Sequence, residues 1–376
     1  MPTLYSITTA TPELHFICNY DFAEFTQQIG YDHKDYKWTD NFSIDMIETD
    51  SSNDAIFLLN VGSFSQFTVS DFRKFCPNGK LIAYCSSEEV YQYPKEYVWG
   101  PAKMDIAMFH PSSIEAADIF LCPNSNSNFF YSKHGILTDK IYFTISEWMI
   151  RKIDKYCQKN EVYERDNKYV DIIALIRICD SKYRQQLKQF LSSRQHTMYG
   201  FSIEPRQNTR WVNSKLVNPY VEYNDEENFE TLFDMYNESL ITLGTTSFPS
   251  DHRPKPKIIQ RGYFLHHDIV EELRHMKGMR DWIGPLLNSV LICDDHPDVA
   301  TIMNDNYDLV VPTYNYYDLE SLQRLILTVL NNDDFCHEFL TRQKEWIRNN
   351  TFIKQLSRIF TKHNIRENNE NQHTNT

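Results

Sequence analysis

Glycine is scarce, 10 in 376 residues. A phosphate-cradling loop needs residues without Cβ at fixed spacings, and neither G-x-G-x-x-G nor G-x-x-x-x-G-K-[ST] occurs. G-x-S-x-G is absent too, which removes the strand-to-helix elbow of a serine hydrolase. The eight cysteines form no C-x-x-C pair, so neither a zinc ribbon nor a dithiol redox centre is indicated. Cys85, Cys179 and Cys293 fall in or beside apolar runs, as buried free thiols of a reducing compartment do. Positive charge is also short: 38 Lys and Arg face 51 Asp and Glu, a net charge of −13. Such a chain is a poor polyanion binder as a whole, although a local basic groove is compatible with it. No window approaches 18 continuous apolar residues, so no membrane span is expected. The opening Met1–Tyr5 lacks the basic-then-apolar order of a signal peptide. The expected location is the cytoplasm, or the host cytoplasm if the chain is viral. An Asn-rich, Tyr-rich, Gly-poor composition suits an AT-rich viral or low-GC genome.

What is present is a globular composition, 41% apolar and 24% charged, in a chain long enough for two cores. Short apolar runs alternate with helical patterns. Ala55–Ser63, Lys80–Cys85, Ala117–Cys122 and Lys140–Phe143 read as strands, with helices over Val69–Phe75 and Ser127–His134. Continuously apolar strands suit a parallel sheet covered on both faces. After a charged stretch the pattern resumes, with strands at Val170–Ile176, Thr197–Gly200 and Ser239–Gly244 and helices over Gln185–Leu191 and Phe229–Tyr236. The expected fold is α/β, with two Rossmann-like domains facing a cleft. The divisions are 1–150, a linker at 151–168, a second domain at 169–345, a closing helix at 346–365 and a disordered polar tail at 366–376.

The region from Met279 to Phe352 carries the most. An apolar strand, Ser289–Cys293, stops at Asp294-Asp295-His296-Pro297-Asp298. A second strand-like run covers Tyr307–Pro312, and a helix opens at Asp318. A strand ending in carboxylates before a helix that opens on acids marks the ligand edge of an open α/β sheet.

Three segments resemble the GT-B-type glycosyltransferases. Ala117–Ser125 with His134–Ile141 looks like the end of their N-terminal domain. Tyr236–Gly244 resembles the strand before the sugar-nucleotide loop. Arg280–Asp295 is similar to the nucleotide-contacting helix and following strand, particularly of phage DNA β-glucosyltransferases. A fourth stretch, Asp171–Leu191, looks similar to the same phage enzymes' first donor-domain strand and arginine-bearing loop. The resemblance implies transfer of a sugar from a nucleoside-diphosphate donor, a UDP-sugar first among them, to a hydroxyl acceptor, without cofactor or metal. The acceptor would be a small molecule, a glycan, a protein or a hydroxymethylated DNA base. Duplex DNA is disfavoured because its binding rests on phosphate neutralisation.

Diphosphate charge grows as the glycosidic bond breaks, and arginine forks or helix N-termini must meet it where no metal does. Arg280 is implied at a helix N-terminus as the phosphate contact, and Arg177 and Arg184 flank the loop after the first donor-domain strand. Gly244 and Thr245 follow the strand at Leu240, where backbone could approach phosphate or sugar. For each arginine the plain alternative is an exposed surface residue, Arg280 pairing with Asp281 or Glu272, and for Gly244-Thr245 it is a turn. In these enzymes an acid three residues past the Arg280 position holds the ribose hydroxyls, but here that residue is Ile283. Asp281 is then the nearest acid, unless the fold has lost activity and serves as a nucleotide- or partner-binding module. The basic run His252–Lys257 would grip an anion or stand as a solvated loop. Glu88, at a strand end, is the first choice for the base of an inverting transfer, with Asp105 and His110 behind it. His266-His267-Asp268 and Asp294-Asp295-His296 do not make a metal set, because neighbouring side chains point apart.

Overall fold

A computed structural model describes residues 3–9, 21, 23–38, 47, 55–59, 69–77, 79–84, 115–122, 128, 132, 135–142, 145–177, 182–194, 196–202, 226–247, 275–276, 281–316 and 318–364. The chain divides into two units. One comprises Met1–Pro123, Ser127–Tyr142 and Asn350–Thr376, the other Asn124–Asn126 and Phe143–Asn349. Residues 151–168 lie in the second unit, and residues 346–365 are divided between the two.

Among the described residues the first unit holds six parallel strands: β1 (Thr3–Thr9), β2 (Asp32–Trp38), β3 (Ala55–Leu59), β4 (Lys80–Tyr84), β5 (Ile119–Cys122) and β6 (Thr138–Lys140). Their order is β2-β1-β3-β4-β5-β6. β5 is buried along its whole length, and β4 beyond its first residue, as two-sided coverage requires. Sequence reading does not reveal β2, because Asp32-His33-Lys34-Asp35 resembles a solvated loop. Charge suits an edge strand, and the inner side chains find partners. The fully buried Ser6 hydroxyl donates to Asp35 Oδ1 at 3.0 Å and lies 2.7 Å from His33 Nε2. Burial pushes the His33 pKa down against the pull of Asp35. Helices α1 (Ala23–Ile29) and α2 (Val69–Phe75) belong to this unit.

So does the last helix, Phe352–Lys362. Thr351 caps it by accepting from the Lys354 N–H. Phe352, Ile353, Leu356, Ile359 and Phe360 recur at helical spacing and are buried. The Phe360 ring meets that of Phe25 edge-on, centroids 4.9 Å apart. Gln355 pairs with the backbone of Tyr142, accepting from its N–H at 2.8 Å and donating to its carbonyl at 3.2 Å. At the far end Asp139 receives Lys362 Nζ at 2.8 Å and lies 2.7 Å from His363 Nε2. Burial works against the Asp139 carboxylate, but these two side chains and the Lys140 N–H hold its pKa below the ordinary value.

The second unit contains α3 (Glu147–Lys159) and a parallel sheet of β7 (Val170–Arg177), β8 (Met198–Ser202), β9 (Ser239–Leu243), β12 (Val290–Asp294) and β13 (Thr313–Tyr314). Its order is β13-β12-β9-β7-β8. Between β9 and β12 lie the short antiparallel pair β10 (Thr246–Ser247) and β11 (His275–Met276) and the turn α6 (Ile283–Leu286). Helices α4 (Lys182–Ser193), α5 (Glu226–Glu238), α7 (Pro297–Ala300), α8 (Leu319–Asn331) and α9 (Asp333–Asn349) also belong to it, and the helix Phe352–Lys362 of the first unit is α10. Leu187 and Leu191 of α4 and Leu322, Ile326 and Val329 of α8 join one buried cluster with Ile172, Ile241, Val290 and Ile292. Alternate strand residues therefore point to the same face. The chain matches the expected α/β class, a parallel sheet in each unit.

One sequence expectation is corrected. The run Tyr307–Pro312 is not a strand: Met303 and Leu309 form an isolated antiparallel bridge, and the paired strand begins at Thr313. Tyr307 takes a left-handed φ of 65° at the turn, which stops extension there, and Val310 and Val311 are buried beyond it. His275 and Met276 pair antiparallel with Ser247 and Thr246. Among the described residues no helix is long and apolar enough to cross a membrane.

Lys168, just before β7, is 8% exposed and donates to the Asn237 and Leu287 carbonyls at 2.5 and 2.9 Å. Burial lowers its pKa from 10.5 to about 7, Glu164 opposing and Lys344 assisting. A neutral amine still has the two N–H donors these carbonyls need. Between about pH 7 and 10.5 the unfolded chain holds a proton here that the folded chain lacks. This site's stability contribution therefore rises with pH across that window and is least below it. Urea midpoints at pH 7 and 9.5 should show a smaller rise for Lys168→Met than for wild type. Phe360→Ala should cost the first unit about 3–5 kcal/mol, read as faster proteolysis within residues 1–142 than in wild type.

Candidate functional site

In a parallel sheet of order 2-1-3-4-5, connections from the first and third strands leave in opposite directions, and a crevice opens between their carboxyl ends. In the second unit those strands are β7 and β9. β7 ends at Arg177, and β9 ends at Leu243 and runs into Gly244-Thr245. The Gly244 N–H donates to the Ile292 carbonyl of β12 at 2.9 Å, which fixes this backbone beside the next strand. Thr245 is buried.

A second segment is pressed against β9 from the side. Gly284 lies so close that a Cβ there would collide with Thr242 Oγ1. Thr242 in turn pairs with the Ser289 hydroxyl at 2.9 Å, both buried. This approach sets Asp281 beside the end of β9: a Cβ on Gly244 would stand 3.4 Å from Asp281 Oδ2 and 3.3 Å from Leu291 Cδ1. Glycine at 244 thus leaves the carboxylate within reach of the backbone at the switch point. Ile283 is fully buried in the apolar interior, so the position that carries an acid in the resembled enzymes faces no ligand here.

The end of β12 is acidic and mostly sealed. Asp294 is fully buried, and the Cys293 thiol donates to its Oδ1 at 3.5 Å. Burial pushes the Cys293 pKa well up, and the charges of Asp294 and Asp281 push it further. Asp295 serves the backbone: its N–H donates to the Tyr314 carbonyl at 2.8 Å and its Oδ1 accepts from the Tyr316 N–H at 2.7 Å. His296 Nδ1 accepts from the Asp298 N–H at 3.1 Å, which leaves the proton of a neutral ring on Nε2. Asp318 caps α8 by accepting from the Ser321 N–H at 2.9 Å. Among the described residues no three His, Cys, Asp or Glu side chains form a group able to hold a metal ion.

The residues expected from sequence fall into two sets. Arg177, at the end of β7, Arg184, in the first turn of α4, and Gly244, Thr245 and Asp281 all belong to the carboxyl side of this one sheet. Glu88, Asp105, His110, Arg280 and the run His252–Lys257 lie outside the described residues. Sequence reasoning did not single out Tyr183 and Tyr314, which meet in the interior below the same edge. A tyrosine amid leucines at helical spacing reads as core, and only a hydroxyl partner distinguishes it.

No protein-family model matches the chain, and no curated protein matches it in sequence. Solved structures do match in fold. The N-terminal domain of Candida albicans trehalose-6-phosphate phosphatase is 12% identical, with 97% of each chain covered and a TM-score of 0.54. Sucrose-phosphate synthase from Thermosynechococcus elongatus is 10% identical over 96% of this chain and 99% of its own, also at 0.54. Anabaena HepE, solved in complex with UDP and with UDP-glucose, is 11% identical over 96% of this chain and all (100%) of its own, at 0.51. The chain thus has the two-unit α/β fold of the GT-B class. At such identities the likeness extends to the fold alone.

The two glycines should respond differently to a methyl group. Gly284→Ala must displace β9 or α6 and should cost about 1–3 kcal/mol in chemical denaturation. Gly244→Ala meets only side-chain atoms at the edge of contact and should cost under about 1 kcal/mol.

Proposed function

We propose that the protein is a glycosyltransferase that takes a sugar from a nucleoside diphosphate held at the carboxyl edge of the second unit's sheet. The observation that carries this reading is the meeting of Gly244 and Asp281 at the β7/β9 switch point. Gly244-Thr245 lets backbone approach phosphate or sugar. Asp281 takes up the ribose hydroxyls in place of the acid missing at 283, accepting two hydrogen bonds through a carboxylate. Arg177, Arg184 and Arg280 meet the growing diphosphate charge, with neither metal nor cofactor taking part. Uracil is the first candidate base, on the ground that HepE of the same fold has been solved with UDP and UDP-glucose. Glu88 is the candidate base toward the acceptor hydroxyl if the transfer inverts configuration.

The acceptor is a small molecule, glycan or protein in preference to DNA. The net charge of −13 opposes a duplex, whereas the sequence resemblance to phage DNA β-glucosyltransferases favours a hydroxymethylated base. None of the three solved proteins named above is such an enzyme. The reaction is assigned to the cytoplasm. A second reading, a nucleotide-binding module without turnover, draws on the burial of Ile283.

Thermal shift with the diphosphates of uridine, guanosine, adenosine, cytidine and thymidine, and with their sugars, tests the donor site. One nucleotide should stabilise selectively, and Asp281→Ala should weaken it by at least about tenfold, since two charge-assisted hydrogen bonds are lost. Release of that diphosphate from its sugar, dependent on added acceptor, separates enzyme from binding module. No shift with any nucleotide at millimolar concentration would sink the donor-site reading.

A further inference from the structure

Tyr183 stands in the first turn of α4 and Tyr314 closes β13, and both are buried, at 2% and 1% exposure. Their hydroxyl oxygens are 3.0 Å apart. The ring of Tyr316 lies against that of Tyr183, centroids 4.4 Å apart. Phenylalanine would fill the same apolar volume among Leu187, Leu322 and Ile326, and a buried hydroxyl costs free energy unless it is bonded. The pair therefore contributes a directed link that packing alone does not provide. Burial pushes the Tyr314 pKa up, as do Tyr183, Asp294 and Cys293, so the phenol keeps its proton and can donate.

The position of this link gives it a meaning for the site. In the sheet, β13 is separated from β7 by β12 and β9. α4 follows β7 directly, so a bond from β13 to the first turn of α4 spans the edge that carries Gly244 and Asp294. Arg184 is the next residue of that turn. We propose that the Tyr183–Tyr314 hydroxyl pair is a positioning device, holding the first turn of α4 in register to receive the donor's diphosphate. This rests on the donor-site reading above.

Calorimetric titration of UDP, GDP and ADP at 15 °C into wild type, Tyr183→Phe, Tyr314→Phe and the double variant tests it. Circular-dichroism melts confirm that each is folded at that temperature. Each single variant should bind the preferred diphosphate about five- to tenfold more weakly, the effect of one hydrogen bond, and the double variant no more weakly than either single. A merely structural pair would lower the melting temperature and leave affinity within twofold, and that result overturns the inference alone. If wild type binds none of the three, the donor-site reading falls and the inference with it. Hydrogen exchange on wild type supplies a check that needs no variant. Amides of residues 182–187 should gain protection when the diphosphate binds, and unchanged exchange there overturns the proposal.

Discussion

The second unit is organised around one close approach, that of Gly284 to Thr242 on β9. Without side-chain bulk at 284 the turn α6 comes down onto the sheet, and Asp281, three residues earlier, arrives at the strand's carboxyl end. The same approach buries Trp282 and Ile283, and Trp282 stacks on Trp346 of α9 with ring centroids 4.5 Å apart. A polar group at the surface is thus placed by apolar contacts beneath it. The site's geometry is set by packing, which is stiff because interiors are close to crystal density.

Much of the architecture was legible because parallel strands covered on both faces must be continuously apolar. Leu81–Tyr84, Ile119–Cys122 and Val290–Cys293 announce themselves in that way. β2 did not, since an edge strand gains from charge and its pattern then matches that of a loop. The reading over Tyr307–Pro312 failed for the opposite reason. Apolar residues there are buried by a bridged turn, and hydropathy does not distinguish burial in a turn from burial in a ladder.

Of the candidate residues, Gly244, Thr245 and Asp281 stand out in the sequence where a strand end and suitable chemistry coincide, and the fold brings Gly244 and Asp281 together. The acids that follow β12 serve the structure. Asp294 turns inward and Asp295 ties down the backbone of Tyr316, so neither offers a free carboxylate to a ligand merely by ending β12. Spacing along a chain cannot tell a ligand-facing acid from one that satisfies buried N–H groups. That distinction rests on the backbone donors opposite, which come from a distant part of the sequence.

The place of α10 bears on how the molecule is made. Residues 352–362 complete the core of a unit whose sheet is built from the first 142 residues. During synthesis the chain emerges from its N-terminus, at about 5–20 residues per second. The first unit therefore waits for its last helix while the whole second unit is produced. For that interval, tens of seconds at such rates, Phe25 and Tyr84 lack the rings of Phe360 and Phe352 that cover them in the finished protein. The second unit is contiguous apart from three residues and has no such wait. The second unit is thus synthesised in full before the core of the first can close.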